Sequence, residues 1–243
     1  MRIGDTVRRP VRSTSPATCA LLEHLACVGF DGAPRYLVTD AQGREVLTYV
    51  PGYAVALPYP DRALGEVALR SVADLLRALH DAVEGLDPGP HVWPGPVPAR
   101  FRTPLVTHND PNLDNVVFRD GRAAALIDLD LASPGSRVWE VAEAARLWAP
   151  LRTAADVDDR RHGRSLERLR TFVDAYGLDP AERGLLPQAV LATDDWIYGL
   201  VSDEARRGHE AFGEYWREDA SDRARWTRDW YLRDRDDLAA AVA

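Results

Sequence analysis

The sequence predicts an α+β protein, with a small strand-containing lobe joined to a larger, mainly helical one. Three observations predict it. Short apolar segments bounded by turn residues crowd the region up to Val50. A proline-glycine break follows at Val50-Pro51-Gly52, with Pro58 and Pro60 beyond it. After that break helical periodicity dominates, interrupted by one Asp-Gly hairpin.

The elements follow in order. Thr6 to Arg9 has strand character and is closed by Pro10. Ser15-Pro16 predicts an N-cap with proline at the first helical position. The helix so started runs to about Val28, with Leu21, Leu22, Leu25 and Val28 on one face. Pro34 to Thr39 and Glu45 to Val50 are predicted strands flanking the turn at 40–43. A long amphipathic helix, Asp61 to Val83, carries Val67, Leu69, Val72, Leu75, Leu76 and Leu79 on its apolar side. A proline- and glycine-rich loop, Leu86 to Pro104, leads to the hairpin. From Trp139 the pattern is helical to the end, broken at 152–164 and at Gly177 to Pro180, with Trp226, Trp230 and Tyr231 as docking anchors of the last helix.

Composition narrows the function. A chain of 243 residues can bury a substantial core. A net charge of −8 argues against nucleic acid as a partner and suits a cationic small molecule better. All 30 basic residues are arginine. Cys19 and Cys27 lie eight residues apart in one predicted helix, too far for a bridge, so free thiols are expected. No run approaches a membrane span and no signal-peptide core is visible, which points to a cytoplasmic protein without membrane partners. The oligomeric state is not readable.

The most informative stretch is 106–118, followed by Ile127-Asp128-Leu129-Asp130. His108-x-Asp110-x-x-x-x-Asn115 has the spacing of a phosphoryl-transfer catalytic loop. Asp120-Gly121 predicts a two-residue turn between strands 116–118 and 123–128. In that register Asn115 falls opposite Leu126, and Asp128 is its diagonal neighbour, with Cβ atoms roughly 7 Å apart. Two oxygen-bearing side chains so placed suit one Mg²⁺ ion. Asp110 is positioned to accept a hydroxyl proton. His108 orients the loop rather than performing chemistry. Asp114 and Asp120 are turn residues, and Asp130 either backs up the metal or fixes the loop.

These residues, HNDPNLDN at 108–115 and IDLD at 127–130, resemble the aminoglycoside phosphotransferase family. TYVPG at 48–52 resembles that family's hinge and RALH at 77–80 the end of its first large-lobe helix. The resemblance implies a protein-kinase-like two-lobed fold with a shortened N-lobe at 1–48, a hinge at 49–52 and a helical C-lobe at 53–243. It also implies ATP as co-substrate, Mg²⁺ held by Asn115 and Asp128 and adenine met by the backbone around Thr48, Tyr49 and Val50. Asp110 would act as base toward a hydroxylated acceptor. The family's phosphate-binding lysine has no counterpart here, and Arg8 or Arg9 occupies its strand. Its helix glutamate would fall near Thr18, while Glu23 is the only acid in that helix. Glu140 stands where the family usually writes Asp. The acceptor would meet the helical lobe, where Asp194, Asp195, Trp196 and Glu204, with Glu210, Glu214, Tyr215 and Trp216, offer an acidic, aromatic wall. A non-catalytic or weakly catalytic immunity-type binding protein is the alternative, and a metal-dependent phosphohydrolase a third.

Overall fold

Alternation along residues 6–10 and 44–48 places two faces of a small sheet. The computed structural model describes residues 1–56, 58–94, 97–208 and 221–243, apart from the side chains of 155, 204 and 221. Strands β1 (Arg2–Ile3), β2 (Thr6–Pro10), β3 (Tyr36–Thr39) and β4 (Arg44–Thr48) form an antiparallel sheet in the order β1-β2-β4-β3. Val7 faces Leu47 and Arg9 faces Glu45 across β2 and β4. The two-residue β1 pairs with β2 as a short hairpin, Arg2 facing Val7 and Ile3 facing Thr6.

Helix α1 (Ser15–Cys27) touches β3 and buries Leu21, Leu22 and Leu25. It starts one residue from the expected cap: Thr14 takes the N-cap position, while Ser15 Oγ accepts from the Arg12 backbone N–H at 2.9 Å. Val28, expected on the apolar face, is exposed. Cys19 and Cys27 are both free thiols.

The chain leaves the small sheet through Gly52 and pairs β5 (Tyr53–Ala54) onto the hairpin strand β7 (Val116–Arg119), with β8 (Arg122–Leu126) beyond. The predicted helix 61–83 is divided. Gly65, extended at φ −73° and ψ 167°, separates α2 (Asp61–Leu64) from α3 (Glu66–Ala82). Leu69, Val72, Leu76 and Leu79 are buried as the periodicity predicts, but Val67 faces solvent. β6 (Val106–Thr107) pairs with β9 (Ser133–Pro134), clamping both ends of the segment that carries the 108–130 motifs.

Among the described residues the body also holds α4 (Arg137–Trp148), α5 (Ser165–Tyr176), α6 (Pro180–Arg206) and α7 (Ser221–Val242). Helix α4 packs on α6, α3 on α5, and α6 on α7. Asp179 and Glu182 form a capping box with Pro180 inside it. Trp230 and Tyr231 anchor α7 in the core, while Trp226 is exposed. Among the described residues no helix is long and apolar enough to cross a membrane.

Gly52 sits at φ +140°, and a Cβ there would lie 2.5 Å from Val117 Cγ1 and 2.6 Å from the Phe118 carbonyl. Backbone strain and overlap therefore act together. Gly52→Ala is expected to lower stability by about 2 kcal/mol or more in urea unfolding.

Candidate active site

The site is built on a loop held from below by helix α4. Asn109 adopts the left-handed conformation at φ 64°, a region asparagine tolerates. That turn aims the backbone N–H groups of His108 and Asn109 at the two oxygens of Glu140, the first at 2.5 Å and the second at 2.8 Å. His80 Nε2 meets the same carboxylate at 3.2 Å. Trp139 Nε1 donates to Asn109 Oδ1 at 2.9 Å and Trp148 Nε1 to the Pro111 carbonyl at 2.8 Å. Burial opposes ionisation of Glu140, but these donors, His80 first, outweigh it and hold its carboxyl below the usual range.

His108 ties this loop to the next. Its Nδ1 accepts from the Asp110 N–H at 3.2 Å, so Nε2 carries the proton and donates to the Ile127 carbonyl at 2.9 Å. Asp110 Oδ1 accepts from Asn112 Nδ2 at 2.5 Å and Oδ2 from Asn115 Nδ2 at 2.9 Å. Burial, with the carboxylates of Glu143, Asp114 and Asp128 adding and His108 opposing, pushes the Asp110 carboxyl up to about 6.

The hairpin turns as predicted, with Asp120 and Gly121 both at positive φ and Arg119 opposite Arg122. Its register then departs from expectation. Phe118 pairs with Ala123 but Val117 with Ala125, so Ala124 is a bulge residue. Asn115 therefore lies beside Ile127, whose N–H donates to its carbonyl at 2.9 Å, rather than opposite Leu126. Asp128 follows directly and takes left-handed φ and ψ values of 60°, which turns it out of the strand. Its side chain is 56% exposed. Burial and then Asp130 raise its carboxyl above the usual range, with Arg9 opposing.

Two adjoining cavities meet at these residues. The first, about 390 Å³, lies under the small sheet and is lined by apolar side chains including Val7, Leu47, Val117 and Ile127. Thr48, Tyr49, Val50 and Arg9 also border it. Arg8 does not: it points to the other face of β2, against Thr6 and Asp40. Thr48 and Tyr49 donate their backbone N–H groups to Arg35 and Asp5, whereas the Val50 N–H has no partner among the described residues. Arg9 is fixed from two sides, by Glu45 at 2.5 Å and by Asp130. The acid that meets Arg9 lies on the neighbouring strand β4 rather than on α1.

The second cavity, about 450 Å³, is lined by Asp110, Asn112, Asp128 and Asp130 at one end. Its other wall is Arg146 with Ile197, Tyr198, Leu200 and Val201. The acidic, aromatic wall is largely absent from it. Asp195 pairs with Arg228 on α7, and Trp196 packs edge-on against Trp139 at 5.7 Å. Asp194 is buried behind Arg146, 3.6 Å away, and burial pushes its carboxyl up to about 7 with Arg146 opposing. The Glu204 side chain and residues 210–216 lie outside the described residues. Asn112, Glu45 and Arg12 were not singled out from the sequence. Only Asn112 carried a local signal, as the residue after an Asp-Pro turn.

The donor set fits a hard cation. The half-exposed Asp128 carboxylate, 3.6 Å from Arg9, and Asn115 Oδ1, which makes no hydrogen bond among the described residues, are oxygen donors of the kind such a cation takes. Asp130 differs, because Arg9 and Arg12 occupy its two oxygens.

Residues 92–176, which span the loop and the hairpin, match the profile of the phosphotransferase enzyme family (APH). The trifolitoxin immunity protein of Rhizobium leguminosarum bv. trifolii is 30% identical over 221 residues, 86% of this chain and 80% of that protein. The chain belongs to the phosphotransferase enzyme family. Solved structures share the family fold. A choline/ethanolamine kinase family protein from Mesorhizobium loti superposes with a TM-score of 0.65 at 16% identity, over 99% of this chain and 87% of that one. The ADP-bound aminoglycoside phosphotransferase APH(2'')-Ib gives 0.53 at 14% identity, over 97% and 86%. At such identities the likeness is one of fold. Within this family member, α4 is the part that holds the loop in place.

Glu140 ties that loop to helices α3 and α4, so Glu140→Gln is expected to cost about 3 kcal/mol in urea unfolding at neutral pH. Its carboxyl is held low in the folded state, so the contribution is complete above the ordinary glutamate value of 4.5 and is lost as pH falls below it. The stability gap between wild type and Glu140→Gln should narrow on acidification. A gap that widens instead would contradict the ionised assignment.

Proposed function

We propose that this phosphotransferase moves the γ-phosphoryl group of ATP, with Mg²⁺, to a hydroxyl of a small molecule. The observation that carries the reading is the pair of adjoining cavities, one beneath the sheet and one against α6, with Asp128 lining both and Asp110 lining the second. Residues 1–48 and 53–243 then act as the two lobes and 49–52 as the hinge. The nucleotide base occupies the first cavity, where the unpartnered Val50 N–H supplies a hydrogen-bond donor. Arg9, aimed by Glu45, takes the phosphate side in place of a lysine.

Asp110 orients the acceptor hydroxyl and takes its proton, while its partners Asn112 and Asn115 keep the carboxylate aimed. His108 positions the loop. Asn115 and Asp128 would hold the metal, which when bound neutralises charge on the phosphates. The acceptor lies along α6, against Arg146, Ile197 and Tyr198. That its neighbour APH(2'')-Ib binds ADP supports the nucleotide half of this reading.

Calorimetric titration with Mg·ATP tests the proposal directly. Binding is expected in the micromolar to millimolar range, and a flat titration at millimolar nucleotide would sink it. Asp110→Asn should retain nucleotide binding while losing about 10²–10⁴-fold in turnover, measured as phosphate transfer across a panel of hydroxylated metabolites and antibiotics. Asp128→Ala should abolish the Mg²⁺ dependence of ATP binding.

A second reading, binding without transfer, is favoured by the immunity role in the relative's name and by the two-residue β1. Under it, Asp110→Asn would leave the protein's protective effect intact.

A further inference from the structure

We infer that Arg12 grips the phosphoryl group while it passes between the two cavities. This rests on the phosphotransferase reading above and adds a residue to it. The two cavities share three lining residues: Arg12, Asp128 and Asp130. Two are acids, so Arg12 is the one cation among the shared lining residues. Arg9 borders only the first cavity and Arg146 only the second. Arginines thus mark the nucleotide side, the junction and the acceptor side of one path.

The rim carries two carboxylates and the proposed metal is held by only one of them, so a group carrying several negative charges crosses it more readily beside a second cation. Arg12 is built to supply one. Its backbone is fixed at the entrance to α1, where its N–H donates to Ser15 Oγ at 2.9 Å and its carbonyl accepts from the Ser15 N–H at 3.1 Å. Its side chain is 61% exposed and is steered to the rim by one ion pair, to Asp130. Among the described residues its guanidinium makes no other polar contact, so most of its five N–H donors remain available. An ion pair this exposed contributes little to folding.

In the transfer step the bond from phosphorus to the bridging oxygen of ADP breaks as the bond to the acceptor oxygen forms. The electron pair leaves with ADP, and the hydroxyl proton goes to Asp110. Arg12 keeps its protons and balances the charge on the three peripheral oxygens, as arginine does in other phosphoryl-transfer enzymes.

The contact is to the γ-phosphoryl group alone, so binding reports it without knowledge of the acceptor. Wild type, Arg12→Ala and Arg12→Lys of the full chain would each be titrated with Mg·ATP and Mg·ADP by calorimetry, with thermal melts to confirm folding. Arg12→Ala should weaken ATP about tenfold or more, the loss expected for a charge-assisted contact, and leave ADP within about twofold. Arg12→Lys should fall between the two. Unchanged ATP affinity in Arg12→Ala, or an equal fall for both nucleotides, would overturn the inference while leaving the proposed function standing. Failure of the wild type to bind either nucleotide would instead overturn the proposed function, and this inference with it.

Discussion

The carboxylate of Glu140 is the constraint on which the rest of the site depends. It lies fully buried on α4 and receives two consecutive backbone N–H groups from the loop and one ring N–H from His80 on α3. A buried carboxylate is costly unless its lone pairs are met, so the loop can close over α4 only in a geometry that offers those donors. That geometry requires Asn109 in a left-handed turn, and the turn sends Asp110 toward the cavities. Trp139 and Trp148, two turns apart on the same helix, hold the neighbouring residues of the loop. The position of Asp110 is thus set by packing beneath it rather than by the loop's own propensities.

A second network gathers guanidinium groups beside the first cavity of this lysine-free chain. Asp130 engages Arg9 from β2 and Arg12 from the segment before α1. Arg9 is anchored further by buried Glu45, whose Oε1 has no partner among the described residues. Burial, followed by the charge of Glu45, pushes the adjacent Cys19 thiol up to about 11 and keeps it protonated and inert. The result is a pair of guanidinium groups held at Asp130, with Arg9 also 3.6 Å from the Asp128 carboxylate.

Much of this was legible in the sequence. The α+β order, the break near Gly52, the Asp-Gly turn of the hairpin and the meeting of Asp110 with Asn115 follow from local spacing. What was not legible depends on contacts distant in sequence. The bulge at Ala124 arises where the Ala123 N–H turns to Ser71 Oγ on α3, a bond that no hairpin rule contains. Gly65 breaks a helix whose periodicity runs through it. Glu45 meets Arg9 because β2 lies beside β4, and strand order is a property of the whole sheet. The aromatic and acidic residues of α6 pointed to an acceptor wall, but Trp196 is used by Trp139 and Asp195 by α7.

The pairing of Arg9 with Glu45 has a mechanical consequence. A cation steered from an adjoining helix loses its aim whenever that helix shifts. Here the aim is a matter of strand alignment, set when β2 zips onto β4. Sliding β2 by one position would turn Arg9 outward and bring Arg8 in against hydrophobic neighbours. The alignment works like a key cut for one lock: a misaligned molecule would keep its helices and its core and still present no guanidinium from β2 to the first cavity.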